Sequence, residues 1–164
     1  MTRVRSVLAA AVTGTTVLVL GTFGVVRLAR LKPLRMSGVS MEPTLHNNDR
    51  FFASTDVSEL TRGDLVLYRY PQNPSKVFVN RIVGLPGDTI EIRAGQVYIN
   101  QAALHEPYAV GRNEPESGPI RIPENEFYVL GDNREHANDS RAFGPIERGA
   151  IVGRYVAKYW NAGA

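Results

Sequence analysis

The amino-acid sequence predicts a mostly β protein, with one antiparallel β domain behind a single N-terminal transmembrane helix. An uncharged apolar segment of 21 residues lies near the N-terminus. Beyond residue 35, short segments rich in Val, Ile, Tyr and Phe alternate with turn residues, and no helical periodicity is sustained there. We therefore expect an anchor with basic flanks over residues 1–35 and a β-rich domain over residues 36–164.

The predicted anchor is the segment from Ser6 to Val26, SVLAAAVTGTTVLVLGTFGVV. A helix needs about 20 mostly apolar residues to cross the bilayer core. A cleaved signal peptide has a shorter apolar core of about 7–15 residues, followed by a small-residue cleavage site. This segment is longer and is not followed by such a site, so we expect an uncleaved, single-pass anchor.

The charge distribution indicates a lipid bilayer as a partner and excludes nucleic acid. Residues 1–35 carry six Lys and Arg and no acid, whereas the remainder holds 13 Lys and Arg against 16 Asp and Glu. A nucleic-acid-binding domain would place a basic patch on its folded body, and this body is slightly acidic. The chain has no cysteine, which excludes disulfides and thiol catalysis. No metal-ligand cluster or nucleotide loop is present, so we expect no metal and no cofactor.

The strand pattern beyond the anchor is interrupted by turns such as Pro86-Gly87-Asp88 and Gly131-Asp132. The segment TIEIRAGQVYIN alternates apolar and polar residues on both sides of Ala94-Gly95, which predicts a β-hairpin. Residues 108–123, with several glycines and prolines, are predicted to form a long loop. The predicted strands are 49–54, 64–70, 77–85, 89–93, 96–100, 126–130 and 151–160.

A candidate nucleophile follows the anchor in the segment MSGVSMEPTL, from Met36 to Leu45. Ser40 lies between Gly38 and Pro43, a setting that suits an exposed hydroxyl with a backbone N–H close by. Taken alone, the same pattern also describes an ordinary turn serine.

Four segments in order resemble the motifs of the type I signal peptidase family, the membrane-bound serine–lysine proteases that remove leader peptides. They are SGVSMEPTL, RGDLVLY (62–68), NRIVGLPGD (80–88) and LGDNREHANDSRAFGPI (130–146). Together with the anchor they cover most of the chain, and the length is similar to that of the compact bacterial and mitochondrial inner-membrane members.

The resemblance implies a β-rich catalytic domain on the membrane surface, outside the cytoplasm. We expect the bacterial plasma membrane, with the mitochondrial inner membrane as the alternative. Four basic residues after the anchor against two before it favour the opposite orientation, but the bias is small and the resemblance takes precedence over it. The expected partners are precursor proteins that carry leader peptides.

The resemblance also implies roles for individual residues. Ser40 is the expected nucleophile, and its own N–H is an expected oxyanion donor. Some members carry a serine at the position of Gly38, and its hydroxyl is a second oxyanion donor. In this chain only backbone groups are available at that position. Further residues match positions that line the substrate pocket or support the site. They are Met41, Leu45 and Val79 for the pocket, and Arg81, Asp132, Asn133, Asp139 and Arg141 for support, with Asp139 and Arg141 forming an ion pair.

The chain departs from the family where the general-base lysine is expected, because that position is Asn80. An amide orients a hydrogen bond but does not accept a proton at ordinary pH. A serine that helps hold the lysine amine in the family is replaced by Ala137. Asn80 is therefore expected to bond the neighbouring strand or to fill the place of the lysine. His136 is either a replacement base or an exposed loop histidine.

Two functions follow from these residues. The first is an active serine endopeptidase that removes leader peptides from exported or membrane-inserted precursors. The second is a catalytically impaired relative that binds leader peptides or pairs with an active paralogous subunit. Retention of Ser40 favours the first function, and the changes at Asn80 and Ala137 favour the second.

Overall fold

The computed structural model describes residues 30–111 and 116–161. Within these ranges the chain is mostly antiparallel β-sheet, as the sequence predicts. The strands are β1 (Leu31–Arg35), β2 (Arg50–Ser54), β3 (Leu65–Tyr70), β4 (Asn73–Gly84), β5 (Thr89–Arg93), β6 (Gln96–Ile99), β7 (Ala102–Ala103), β8 (Ser117–Arg121), β9 (Glu126–Leu130), β10 (Ile146–Glu147) and β11 (Ile151–Trp160). A short helix α1 (Ser140–Phe143) and a 3-10 turn (Arg148–Ala150) complete the set.

The predicted anchor, Ser6–Val26, lies outside the described residues. Within residues 30–111 and 116–161, no helix combines the length and apolarity that a membrane crossing requires. Strand β1 begins at Leu31, so the sheet takes in residues that precede position 36.

The strands form two sheets. The larger has seven strands in the order β1-β2-β11-β3-β4-β9-β10, and the smaller has four in the order β7-β6-β5-β8. The neighbouring strands with a defined register are antiparallel in both sheets. Strand β4 pairs with β3 over most of its length but with β9 only from Arg81 to Gly84. Its edge over residues 73–80 therefore has no second strand within the described part.

Central strand β3 is apolar without alternation because both of its faces are buried. Leu65 and Leu67 pack into one core cluster, with Met41 and Phe51 among its members. Val66 and Tyr68 point to the other side of the sheet, into a cluster with Ile82. Successive side chains of a strand alternate between faces, so a strand covered on both sides becomes a continuous apolar run.

The predicted hairpin at Ala94-Gly95 is confirmed. Strands β5 and β6 pair in register from Ile90 opposite Ile99 to Arg93 opposite Gln96. Ala94 has a φ of 47° and Gly95 a φ of 71°. Two consecutive positive φ values are the signature of a type I′ turn, whose twist matches that of the flanking strands.

The predicted loop over residues 108–123 is wrong for part of its length, because Ser117–Arg121 forms strand β8. Its partner is β5, and Ile120 lies opposite Ile90. Pro119 and Gly118 hid this strand in the sequence. Strand β8 lies at the edge of its sheet, where the missing N–H of a proline leaves no bond unmade.

Candidate active site

Ser40 lies in the segment between β1 and β2, on the wall of a cavity of about 490 Å³. The serine is half-buried, whereas the next residue, Met41, is fully buried. Strand β4 contributes another part of the wall through Val77, Phe78, Val79 and Asn80, and His136 also lines the cavity. The structure thus brings together Ser40, Asn80 and Val79 of the predicted site.

Asn80 is buried, with 1% of its surface exposed, and it bonds the neighbouring strand as expected. Its Oδ1 accepts a hydrogen bond of 2.7 Å from the Tyr68 hydroxyl on β3. Its Nδ2 is fully buried and has no hydrogen-bond partner among the described residues. Burial raises the pKa of Tyr68 well above its usual range, and the charge of Asp139 raises it further. Tyr68 therefore keeps its proton and remains a donor.

Gly131 is the point at which the predicted site residues converge. A Cβ at this position would lie 2.2 Å from Ala137 Cβ, 2.7 Å from the Ser40 carbonyl oxygen and 3.3 Å from Asn80 Nδ2. The first two distances are far inside van der Waals contact, so only glycine fits here. Ala137 and Asn80, the positions where the resemblance leads us to expect a serine and a lysine, are therefore neighbours in space.

The pair formed by Arg81 and Asp132 supports this junction from the other face of β4. The Arg81 guanidinium makes two hydrogen bonds to the carboxylate, 2.8 Å from Nε and 2.6 Å from Nη2. Its Nη1 also donates to the Gly63 carbonyl at 2.8 Å. Asp132 accepts a further bond from Thr44, and the ring of Tyr108 lies 3.9 Å from the guanidinium carbon. Parallel bonds of this kind fix both partners in orientation.

The loop from Gly131 to Arg141 is held by two further ion pairs. Asp139 accepts from Arg141 Nε and Nη2, each at 2.8 Å, and from the Gly131 N–H at 3.0 Å. The expected pair between Asp139 and Arg141 is thus present. Arg134 binds Glu106, and both side chains are fully buried. Arg134 also donates from Nε to the Gly131 carbonyl at 2.9 Å.

Asn133 connects the serine to His136. Its backbone N–H donates to the Ser40 carbonyl at 3.0 Å, and its Nδ2 donates to the Val39 carbonyl at 3.2 Å. Its Oδ1 lies 3.2 Å from Nδ1 of His136. Asn133 therefore bonds the nucleophile segment on one side and the imidazole on the other.

Two of the three predicted pocket residues do not line the cavity. Met41 and Leu45 are fully buried in the core cluster to which Val79 packs, whereas Val79 itself reaches the cavity wall. Lys76, the amine that lies four positions before Asn80 on the same strand β4, is exposed and does not line the cavity. Among the described residues, no group of three or more His, Asp and Glu side chains is arranged to hold a metal ion.

Sequence reasoning missed Tyr68, Thr44, Glu106 and Arg134. Tyr68 and Arg134 lie inside the resembling segments, and an aromatic hydroxyl or a guanidinium in a buried strand or loop needs a partner. That requirement could have identified them as site residues. Glu106 lies outside those segments, and Thr44, although inside the first of them, is a partly exposed hydroxyl that does not require a protein partner.

The chain is similar to known proteins of one family. Residues 8–160 match the family model described as "Signal peptidase, peptidase S26". A signal peptidase I from Leptolyngbya laminosa is 37% identical over 131 residues, covering 74% of this chain and 64% of the relative. Signal peptidase I S of Bacillus subtilis is 39% identical over 124 residues, covering 66% and 65% respectively. The chain thus spans less than two thirds of the length of both relatives.

A solved structure shares the fold. The crystal structure of a signal peptidase I from Enterococcus faecalis aligns with a TM-score of 0.51 and 31% sequence identity. The alignment covers 58% of this chain and 96% of that structure.

Proposed function

Because the chain belongs to the signal peptidase family, peptidase S26, we propose that it removes leader peptides from exported or membrane-inserted precursor proteins. The carrying observation is the shared cavity. A half-buried serine and strand β4, whose edge over residues 73–80 has no second strand within the described part, line the same cavity. This combination suits a protease that binds its substrate in an extended conformation.

In this proposal Ser40 is the nucleophile. No hydrogen bond from the Ser40 hydroxyl or from its N–H is present among the described residues, so both groups are available to substrate. The hydroxyl attacks the scissile carbonyl carbon, and the N–H donates to the oxygen that becomes negative. Preorganised donors of this kind stabilise the tetrahedral intermediate.

The substrate adds to the unpaired edge of β4 beside Val77 and Val79. An extended peptide there gains main-chain hydrogen bonds, and the pockets for its alternate side chains give specificity. Val79 lines the pocket for the small residue before the cleaved bond. Met41 and Leu45 form the wall behind that pocket, and their packing limits its depth.

The remaining predicted residues position the serine segment. Asn133 holds the Ser40 and Val39 carbonyls. The pairs of Arg81 with Asp132 and of Arg141 with Asp139 hold the loop that carries Asn133. Ser6–Val26 anchors the chain in the bilayer, and the β domain acts on its extracytoplasmic side.

A second candidate function is a non-catalytic subunit that binds leader peptides or pairs with an active paralogue. The side chain of Asn80 favours this function, because an amide does not accept a proton. Its neighbour Tyr68 remains protonated, since burial raises the pKa of the hydroxyl. Such a protein would bind the same peptides at the same strand edge and leave them intact.

Cleavage of a leader peptide separates the two functions. The full chain in detergent should cut a leader peptide that has small residues at its two recognition positions, and mass spectrometry should locate one cut. Ser40→Ala should abolish cleavage, whereas Ser58→Ala, an exposed serine outside the cavity, should leave it unchanged. Binding of the peptide without any cut by the wild-type protein would favour the non-catalytic subunit. Equal cleavage by Ser40→Ala would exclude Ser40 as the nucleophile.

A further inference from the structure

This inference rests on the proposed function and concerns the proton of Ser40. A serine hydroxyl is a weak nucleophile unless a neighbouring base takes its proton during attack. Asn80 Oδ1 already accepts from Tyr68, and an amide is not a base. Tyr68 donates that hydrogen bond, and burial raises its pKa, so it is not a base either. The proton acceptor must therefore come from another part of the cavity wall.

His136 lies in a loop and is exposed, and among the described residues its Nε2 has no hydrogen-bond partner. It lines the same cavity as Ser40 and Asn80. Arg35 also lines the cavity, but a guanidinium has only donors and no acceptor for a hydrogen bond. Glu135 and Arg134 precede His136 in the chain, and the Arg134 side chain is directed to Glu106 and the Gly131 carbonyl. Tyr70 accepts a hydrogen bond from Asn138, two residues after His136.

The hydrogen bonds of Asn133 determine which imidazole nitrogen is basic. Asn133 Nδ2 donates to the Val39 carbonyl, so the amide oxygen is the atom that faces His136. An amide oxygen only accepts, and Nδ1 of the imidazole must therefore carry the hydrogen of the 3.2 Å contact. In the neutral ring the lone pair is then on Nε2. An orienting partner at Nδ1 and a free Nε2 are what a histidine base requires.

Asn133 also ties the imidazole to the nucleophile. Its backbone N–H bonds the carbonyl of Ser40 itself, at 3.0 Å. His136 N–H in turn donates to the Asn133 carbonyl at 3.2 Å. The serine, the asparagine and the histidine thus form one hydrogen-bonded unit on one wall. Neither of the other histidines, His46 and His105, lines this cavity.

We propose that His136 is the general base for Ser40 in this protein, with Asn133 as its orienting residue. Asn80 Nδ2, the buried donor without a partner, then hydrogen-bonds the Ser40 oxygen and directs the hydroxyl hydrogen to the imidazole. In the described structure the hydroxyl and the imidazole are not yet hydrogen-bonded. Such bonds are often long in substrate-free sites and tighten when substrate binds.

The proposed step balances as follows. A lone pair of Ser40 Oγ forms a bond to the scissile carbonyl carbon, the Oγ–H proton passes to His136 Nε2, and the carbonyl π electrons move to oxygen. The intermediate collapses, the C–N bond breaks, and the leaving amine takes the proton from Nε2. Water then attacks the acyl group, gives one proton to Nε2, and that proton returns to Ser40 Oγ as the leader peptide departs.

Cleavage kinetics of His136→Gln in the full chain test the assignment. General-base catalysis is worth roughly 10²–10⁴-fold, so kcat/KM should fall by about that factor. The rate of the wild-type enzyme should rise as the solution becomes less acidic, because only neutral imidazole accepts a proton. The residual activity of His136→Gln should lack this rise. His105→Gln is the matched control, since His105 is exposed and outside the cavity, and it should behave as wild type.

The outcomes separate this inference from the proposed function. If the wild-type protein cuts the peptide, Ser40→Ala does not, and His136→Gln retains the full rate and pH profile, then His136 is not the base and the function stands. If the wild-type protein cuts nothing, the proposed function and the base fall together. A readout independent of turnover is the ¹⁵N spectrum of His136. It should show the hydrogen on Nδ1 in the neutral ring, and a hydrogen on Nε2 would contradict the assignment.

Discussion

At the scale of single residues, the position where the resemblance places a lysine amine carries a buried amide, Asn80. Its Oδ1 accepts a hydrogen bond from Tyr68, and its Nδ2 lies beside Gly131, which the Ser40 carbonyl oxygen and Ala137 also adjoin. A donor in that place positions a hydroxyl but does not activate it. In our proposal the proton of Ser40 therefore passes to His136, whose imidazole contacts Asn133.

Removing the Tyr68 hydroxyl should destabilise the fold. Tyr68→Phe leaves the Oδ1 of Asn80 buried without its donor, and an unsatisfied buried polar group costs about 1–3 kcal/mol. The free energy of unfolding, measured by chemical denaturation, should fall by that amount. Tyr98→Phe is the control, because no hydrogen bond of the Tyr98 hydroxyl is present in the described part of the chain. An equal, small effect of both changes would show that the bond to Asn80 contributes nothing.

A lysine introduced at position 80 should supply a second route for the proton. Ala137 and Asn80 meet at Gly131, so Asn80→Lys with Ala137→Ser places an amine beside a hydroxyl that can hold it. In the His136→Gln background this pair should restore a large part of the 10²–10⁴-fold loss. Asn80→Met with Ala137→Ser has a similar shape without the amine and should restore nothing. The comparison of kcat/KM values decides, and equal recovery by both pairs would contradict the account.

At the scale of elements, the sequence carries most of the strands because turn residues and alternation are local signals. The hairpin of β5 and β6 follows from Ala94-Gly95 and from the alternation of TIEIR and QVYIN. The sequence does not predict strand β8, because Gly118 and Pro119 are typical of loops. A strand tolerates them here only because β8 lies at the edge of the smaller sheet. Long-range pairing of this kind has no local signature.

The type I′ turn makes a prediction about Ala94. A φ of 47° is unfavourable for alanine but tolerated by asparagine, and Asn-Gly is the preferred pair in this turn. Ala94→Asn should therefore raise the free energy of unfolding by about 1 kcal/mol. Ala103→Asn, on exposed strand β7, should be neutral or slightly destabilising. A loss of stability for Ala94→Asn would mean that another turn forms in solution.

At the scale of the whole molecule, buried ion pairs and one carboxylate join the elements around the site. The Asp88 carboxylate accepts hydrogen bonds from Arg62, from Asn100 and from the Leu85 N–H. It therefore connects the segment that precedes β3 with the smaller sheet. Burial raises the pKa of Asp88, but the bond from Leu85 and those from Asn100 and Arg62 outweigh it, and the pKa is lowered.

The lowered pKa of Asp88 predicts a loss of stability in acid. A carboxylate whose folded-state pKa lies below its unfolded value of 3.8 contributes stability above that pH. This contribution disappears as the pH falls through the folded-state pKa. Asp88→Asn should be less stable than wild type at pH 7, and the difference should shrink below pH 3.8. Glu124→Gln, at an exposed ion pair, should show little difference at either pH. A gap that stays constant down to low pH would contradict the argument.

The sequence identified most of the candidate site through residues that lie in contiguous segments. Ser40, Asn80 and Arg81 with Asp132 could be named because each lies in one of the four segments that resemble the family. The ion pair of Glu106 with Arg134 and the position of His136 could not be predicted from the sequence, since both depend on how the loop after β9 folds back. The placement of Met41 and Leu45 in the core behind Val79 likewise required the packing of β3 and β4.

The most direct test of the central claim is a crystal structure of the protein with a peptide boronic acid that carries small side chains. The account predicts a covalent bond from Ser40 Oγ to boron, with His136 Nε2 and Asn80 Nδ2 both within hydrogen-bond distance of the serine oxygen or of the boronate. A boron bound to any other residue, or an imidazole turned away from Ser40 in the bound state, would contradict it.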